Sequence, residues 1–109
     1  MRTFKIVVFV PEPDGEALRS AMGEAGAGRI GNYDFCSFTT RGLGRFRPLV
    51  GAKPATGAVG RREEVVEERI EVVCSEPYLA EVLASIRRVH PYEEPAIDVY
   101  QLAAIDRQD

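Results

Sequence analysis

Histidine occurs once and cysteine twice in 109 residues, so a histidine-rich metal centre lacks its ligands. Cys36 and Cys74 lie far apart within apolar alternations, which favours reduced core thiols over a disulfide or a zinc pair. Cationic excess is missing too: 14 Lys and Arg face 17 Asp and Glu, a net charge of -3, which argues against a nucleic-acid partner. Apolar runs such as Ile6 to Val10 fall far short of the roughly 20 residues that a membrane helix requires. The start, Met1-Arg2-Thr3-Phe4-Lys5, enters a strand-like pattern without a signal core, and the expected location is cytoplasmic. No serine, cysteine or lysine carries a recognisable nucleophile motif, so an enzymatic role has no direct support in the residues.

What the chain does have is 45% hydrophobic residues, enough for one modest core, and residues 1–109 are expected to form a single domain. Thr3 to Val10 is rich in β-branched and aromatic residues and suits a central strand. Leu18, Ala21, Met22 and Ala25 recur at helical spacing, predicting a helix over 15–25 with Asp14 as N-cap and Gly26 as terminator. Alternation over Tyr33 to Thr40 predicts a second strand, and the glycine- and proline-rich stretch 41–60 a long loop. A long strand with a charged face follows over Glu64 to Cys74. Ser75 and Pro77 then introduce a helix whose buried stripe is Leu79, Val82, Leu83 and Ile86, stopping near His90. A last strand alternates from Ile97 to Leu102. The order βαββαβ predicts an α+β, ferredoxin-like fold: a four-stranded antiparallel sheet with two helices on one face. Its other face, expected to be apolar, must be solvated or covered by another subunit.

Gly26-Ala-Gly-Arg-Ile-Gly matches G-x-G-x-x-G, but it ends a helix, whereas a dinucleotide loop follows a strand and opens one; NAD and NADP are not expected to bind. Arg41, Arg45 and Arg47 around Gly42, Gly44 and Phe46 offer guanidinium forks to an anionic ligand, while a solvated loop making subunit contacts explains the same residues. Arg61 through Glu71 is most simply a solvated strand face with cross-strand ion pairs. In HPYEEPAID, residues 90 to 98, imidazole and carboxylates suit either a divalent metal or proton transfer. The plainer reading is a rigid corner in which His90 donates to a carbonyl of the last helical turn and Pro91 ends the helix.

Taken together, Gly26-Ala-Gly-Arg-Ile-Gly-Asn-Tyr-Asp-Phe-Cys-Ser-Phe, Gly44-Arg-Phe-Arg-Pro and His90-Pro-Tyr-Glu-Glu-Pro-Ala resemble YqfO-type proteins over almost the whole chain. Such a domain looks like the segment inserted in larger Nif-three-like dinuclear-metal proteins, which is similar in fold to CutA and PII proteins. The resemblance implies a homotrimer, or a protein partner with a Nif-three-like core. It implies a non-enzymatic ligand-binding or regulatory role, with ligand-binding residues Tyr33, Asp34, Arg45, Phe46, Arg47 and Tyr92 in clefts between subunits. Alternatives are an accessory subunit of a Nif-three-like metal-dependent hydrolase, or a CutA-like divalent-metal binder. The latter would hold copper or zinc through His90, with Glu93 or Glu94 as substitute carboxylates; Ala96 after Pro95, where CutA has an acidic residue, is a departure that weakens the metal inference.

Overall fold

The structure, a computed structural model, describes residues 1–104. Strand β1 (Thr3–Pro11) leads through a 3-10 turn (Glu12–Asp14) into helix α1 (Gly15–Glu24). Strands β2 (Phe38–Phe46) and β3 (Glu63–Ser75) form a ribbon, and a second 3-10 turn (Glu76–Tyr78) precedes helix α2 (Leu79–Val89) and strand β4 (Ile97–Gln101). The sheet is antiparallel in the order β2-β3-β1-β4, the expected ferredoxin-like arrangement. β1 is central and carries the most continuous apolar run, as a strand paired on both sides should.

Register assigns each residue to a face, because paired residues in an antiparallel sheet share one side. Ile6, Val8 and Val10 share a face with Val72, Ile70 and Glu68. Leu18 and Met22 of α1 and Val82 and Ile86 of α2 close over this face, and none of the four is exposed. Burying such side chains contributes about 1.5–3 kcal/mol each, which is what holds the helices on the sheet. Cys74 is buried here as a free thiol, its pKa raised by desolvation, while Cys36 is half-buried and also free.

The helix ends show how sequence sets local structure. Gly26 has φ +114°, its N–H donates to Gly23 O (3.2 Å), and the Ala27 N–H donates to Met22 O (3.0 Å). These are the two bonds of a Schellman stop, which needs a left-handed residue at that position. Gly28 (φ +80°) donates to Val73 O at 2.7 Å and lies against the Cys36 backbone, where a Cβ has no room. The glycine fingerprint is therefore occupied in stopping a helix and docking a loop. Neither Asp14 nor Ser75 makes the side-chain cap expected of it; a 3-10 turn containing Pro13 or Pro77 leads into each helix instead.

Two expectations are corrected. The second strand begins at Phe38, not Tyr33, and runs to Phe46, so residues 41–46 of the supposed 41–60 loop are strand. Phe35 is left-handed (φ +54°), Ile30 and Tyr33 form an isolated bridge, and Cys36 N–H donates to Gly28 O, so the alternating residues 33–37 form a turn. The open face of the sheet is mixed rather than apolar. Phe38 and Tyr100 are exposed on it beside Lys5, Arg69 and Glu71, with Lys5–Glu71 at 4.0 Å and Arg69–Glu71 at 3.4 Å.

Candidate functional site

β3 outruns β1: only Glu67 to Ser75 pair with the central strand, so Glu63 to Val66 and their partners in β2 project as a two-stranded ribbon. Residues 47–62 fold back from its tip. Lys53 N–H donates to Glu93 Oε2 at 2.8 Å, joining this loop to the corner after α2. Between loop, ribbon and corner lies a cleft of about 470 Å³. Phe9, Gly44, Phe46 and Glu67 line it from the sheet, and Tyr92, Glu93, Glu94 and Ala96 from the corner. Pro48, Leu49 and Pro54 give the loop wall an apolar character.

His90 builds the corner. Phe9 directs its N–H and carbonyl away from β3: the N–H donates to Ala96 O at 3.2 Å, but β4 pairs with β1 only as far as Val8. The His90 ring fills the gap, with Nε2 2.7 Å from Phe9 O and Nδ1 accepting the Tyr92 N–H at 3.1 Å. A carbonyl can only accept, so Nε2 carries the proton and the ring is neutral on Nδ1. The helix-end bond expected for His90 is thus made across to a neighbouring strand and not to its own last turn.

This arrangement bears directly on the metal candidates. Both ring nitrogens of His90 are committed to backbone groups, and the residue is only 7% exposed. Glu93 accepts the Lys53 N–H, and Glu94 is exposed on the cleft wall. Among the described residues no group of three or more His, Cys, Asp or Glu is placed to hold a metal ion. His90, Glu93 and Glu94 are thus neighbours in sequence that do not converge as ligands, and the residues present do not fit a copper or zinc site.

Of the candidate ligand-binding residues, Arg45, Phe46, Arg47 and Tyr92 line the cleft. Tyr33 and Asp34 do not; they sit in the turn after α1, both exposed. Register turns Arg45 toward the opposite face of the ribbon from Gly44 and Phe46, where its Nε bonds Glu64 at 2.8 Å. Arg41 is likewise bound to Glu12. Two of the three guanidinium groups expected to await an anion are therefore already paired.

The residue that sequence reasoning missed is Glu67. It was assigned to a solvated charged face, yet it is 9% exposed. Its carboxylate lies over Gly44, where any Cβ would overlap it, and Oε2 accepts the Tyr92 hydroxyl at 3.0 Å. Burial, and after it the bond to Glu67, push the Tyr92 hydroxyl well above its ordinary pKa. The Phe46 ring meets Tyr92 edge-on at 5.9 Å, so aromatic surface flanks the carboxylate. A glycine diagonally across the ribbon was the one available signal, legible only once the register is known.

No family model matches the chain. It is 51% identical over 98 residues to the GTP cyclohydrolase 1 type 2 homolog of Mycobacterium tuberculosis, across 90% of this chain and 26% of that protein. The homolog from Halalkalibacterium halodurans is 46% identical over 100 residues, 92% of this chain and 27% of that protein. Among solved structures, a Bacillus cereus protein related to NIF3 superposes with a TM-score of 0.82 at 42% identity, covering 94% of this chain and 26% of the other. CutA from Xylella fastidiosa superposes at 0.67 with 16% identity, over 94% and 85% of the two chains, and a B. subtilis GlnK–ATP complex at 0.63 with 16%, over 93% and 82%. The fold is the ferredoxin-like α+β arrangement that this CutA and this GlnK also show. The chain's kinship is with the YqfO/NIF3 proteins, as the three sequence motifs implied, and the chain spans about a quarter of the length of the curated relatives it matches.

Proposed function

We propose that this chain is a non-enzymatic, oligomeric ligand-binding or regulatory domain of the YqfO type. The observation that carries the reading is the cleft, in which Tyr92 bonds the buried carboxylate of Glu67 beside Phe46, with Arg47 on the wall, beneath a folded-back loop. A concave, largely apolar site with a few fixed polar groups is the usual form of a small-molecule site. The expected assembly is a homotrimer, the state that the resemblance to CutA-like proteins implies. Phe38 and Tyr100, exposed on the open face of the sheet, supply surface for a neighbouring subunit to cover. Light scattering at micromolar concentration tests the assembly, and a clean monomer refutes it. A thermal-shift screen of charged and aromatic small molecules tests the ligand reading, and the absence of any ligand whose effect Phe46→Ala abolishes refutes that.

A second reading is favoured by the size of the relatives: the domain would act beside a NIF3-like core, as an accessory to a metal-dependent hydrolase. Co-purification with such a core, and a change in that core's activity on adding this chain, would select it. Among the described residues no helix is long and apolar enough to cross a membrane.

A further inference from the structure

The polar groups of the cleft are not balanced in charge. Glu67 is buried, yet among the described residues no lysine or arginine pairs with it, and its one hydrogen bond comes from the neutral hydroxyl of Tyr92 to Oε2. Oε1 has no partner there, and since no fully enclosed side-chain polar atom among the described residues lacks one, Oε1 opens onto the cleft. A largely buried carboxylate with one oxygen open to a cleft is a place where a cation can be held in a setting of reduced screening. Glu93 and Glu94 add negative charge on the adjoining wall. On the other wall Arg45 is bound to Glu64, and Arg47 is solvent-exposed, as Glu93 and Glu94 are, so the charge left without a cation inside the cleft is that of Glu67.

We propose that the cleft binds a small organic cation, an amine or a guanidine, whose charged head sits against Glu67 Oε1 beside the rings of Phe46 and Tyr92. This deepens the ligand-binding reading and rests on it. Aromatic faces attract such a cation, a guanidinium most of all, since it stacks as well as donates. Tyr92 holds Oε2 and Gly44 leaves room for the carboxylate, so the acceptor is oriented before the ligand arrives, which limits the entropy lost on binding. The cleft, at about 470 Å³, matches a molecule of small-metabolite size.

The test uses the whole chain with agmatine and butylamine as cationic probes and ATP as an anionic one, in calorimetry and thermal shift. Saturable binding of a cationic probe is expected, weakened about 30-fold or more in Glu67→Gln, as for loss of one partner of a buried charge pair. Glu67→Gln keeps the shape and an oxygen for Tyr92, and its free form should be at least as stable as the parent with the same oligomeric mass. Equal binding to Glu67→Gln overturns the proposal, as does a variant that is markedly less stable, which would make the carboxylate a structural strut. If the variant dissociates the oligomer, a neighbouring subunit supplies the cation and the small-molecule reading falls. ATP binding that Phe46→Ala removes, without binding of either cation, overturns the cation chemistry but leaves the ligand-binding reading standing. If none of the three probes binds, the cation proposal fails, and the ligand-binding reading then stands or falls with the wider screen.

Discussion

Replacing His90 with alanine isolates the contribution of the corner. The substitution removes the partner of Phe9 O and the acceptor of the Tyr92 N–H, bonds of 2.7 and 3.1 Å around a side chain that is 7% exposed. Leaving a buried backbone group unsatisfied costs about 1–3 kcal/mol. Phe9 O faces away from β3 and has no β4 residue to take over, and the Tyr92 N–H loses its acceptor in an equally part-buried setting, so both costs count. A loss of about 2–4 kcal/mol follows, or roughly 10–25 °C in Tm for a domain of this size. Chemical denaturation at fixed protein concentration is the assay, because the stability of an oligomer depends on concentration. Copper and zinc titrations of the parent and of the still-folded variant should be indistinguishable. A loss below about 0.5 kcal/mol would refute the account of the corner, and metal binding that disappears with the imidazole would show that His90 is a ligand after all.

Gly44→Ala should destabilise by about 0.5–1.5 kcal/mol, since the new Cβ must displace the Glu67 carboxylate and break its bond to Tyr92; denaturant midpoints check this, and a neutral variant would contradict the packing. Tyr92 gives a pH dependence of definite sign. Its hydroxyl pKa is raised in the folded state, so the folded chain holds that proton more tightly; the stabilisation is fully present below the ordinary tyrosine pKa of about 10 and is lost as pH rises above it. Parent and Tyr92→Phe should therefore converge in stability at alkaline pH, and curves that stay parallel would rule the effect out. NAD and NADP should show no micromolar binding in calorimetry, since Gly26 is spent on the helix stop.

Five of the six main elements were legible because their patterning and their burial agree. The run from Thr3 to Val10 is central, the stripe Leu79, Val82, Leu83, Ile86 faces the core, and His90 follows the last residue of α2. The exception is β2. Its residues Arg41 to Phe46 alternate glycine with large side chains, and glycine lowers strand propensity because it contributes no packing of its own. The alternation at Tyr33 to Ser37 looked more strand-like, but the left-handed Phe35 and the docking of Cys36 on Gly28 turn that stretch back on itself. Local pattern therefore favoured the wrong segment by the very residues that matter most to the cleft.

Burial of Glu67 was invisible for a related reason. A glutamate in the sequence Glu63-Glu64-Val65-Val66-Glu67-Glu68 reads as one charge among many, and its neighbour Glu68 behaves much as expected, bound to Arg19 at 2.6 Å. What separates the two is the face each occupies. Glu68 points toward α1, where a helix supplies the guanidinium. Glu67 points to the open face, where Gly44 supplies only space and Tyr92 only a neutral donor. A strand built for stability alone would place a β-branched residue at 44 and an apolar one at 67, closing the gap between ribbon and corner. Instead a weak strand former and a buried carboxylate that has no cationic partner among the described residues coincide at one place. Sequences that specify a fold tend to agree with it at every level except where function asks otherwise, and here that exception falls at the mouth of the cleft.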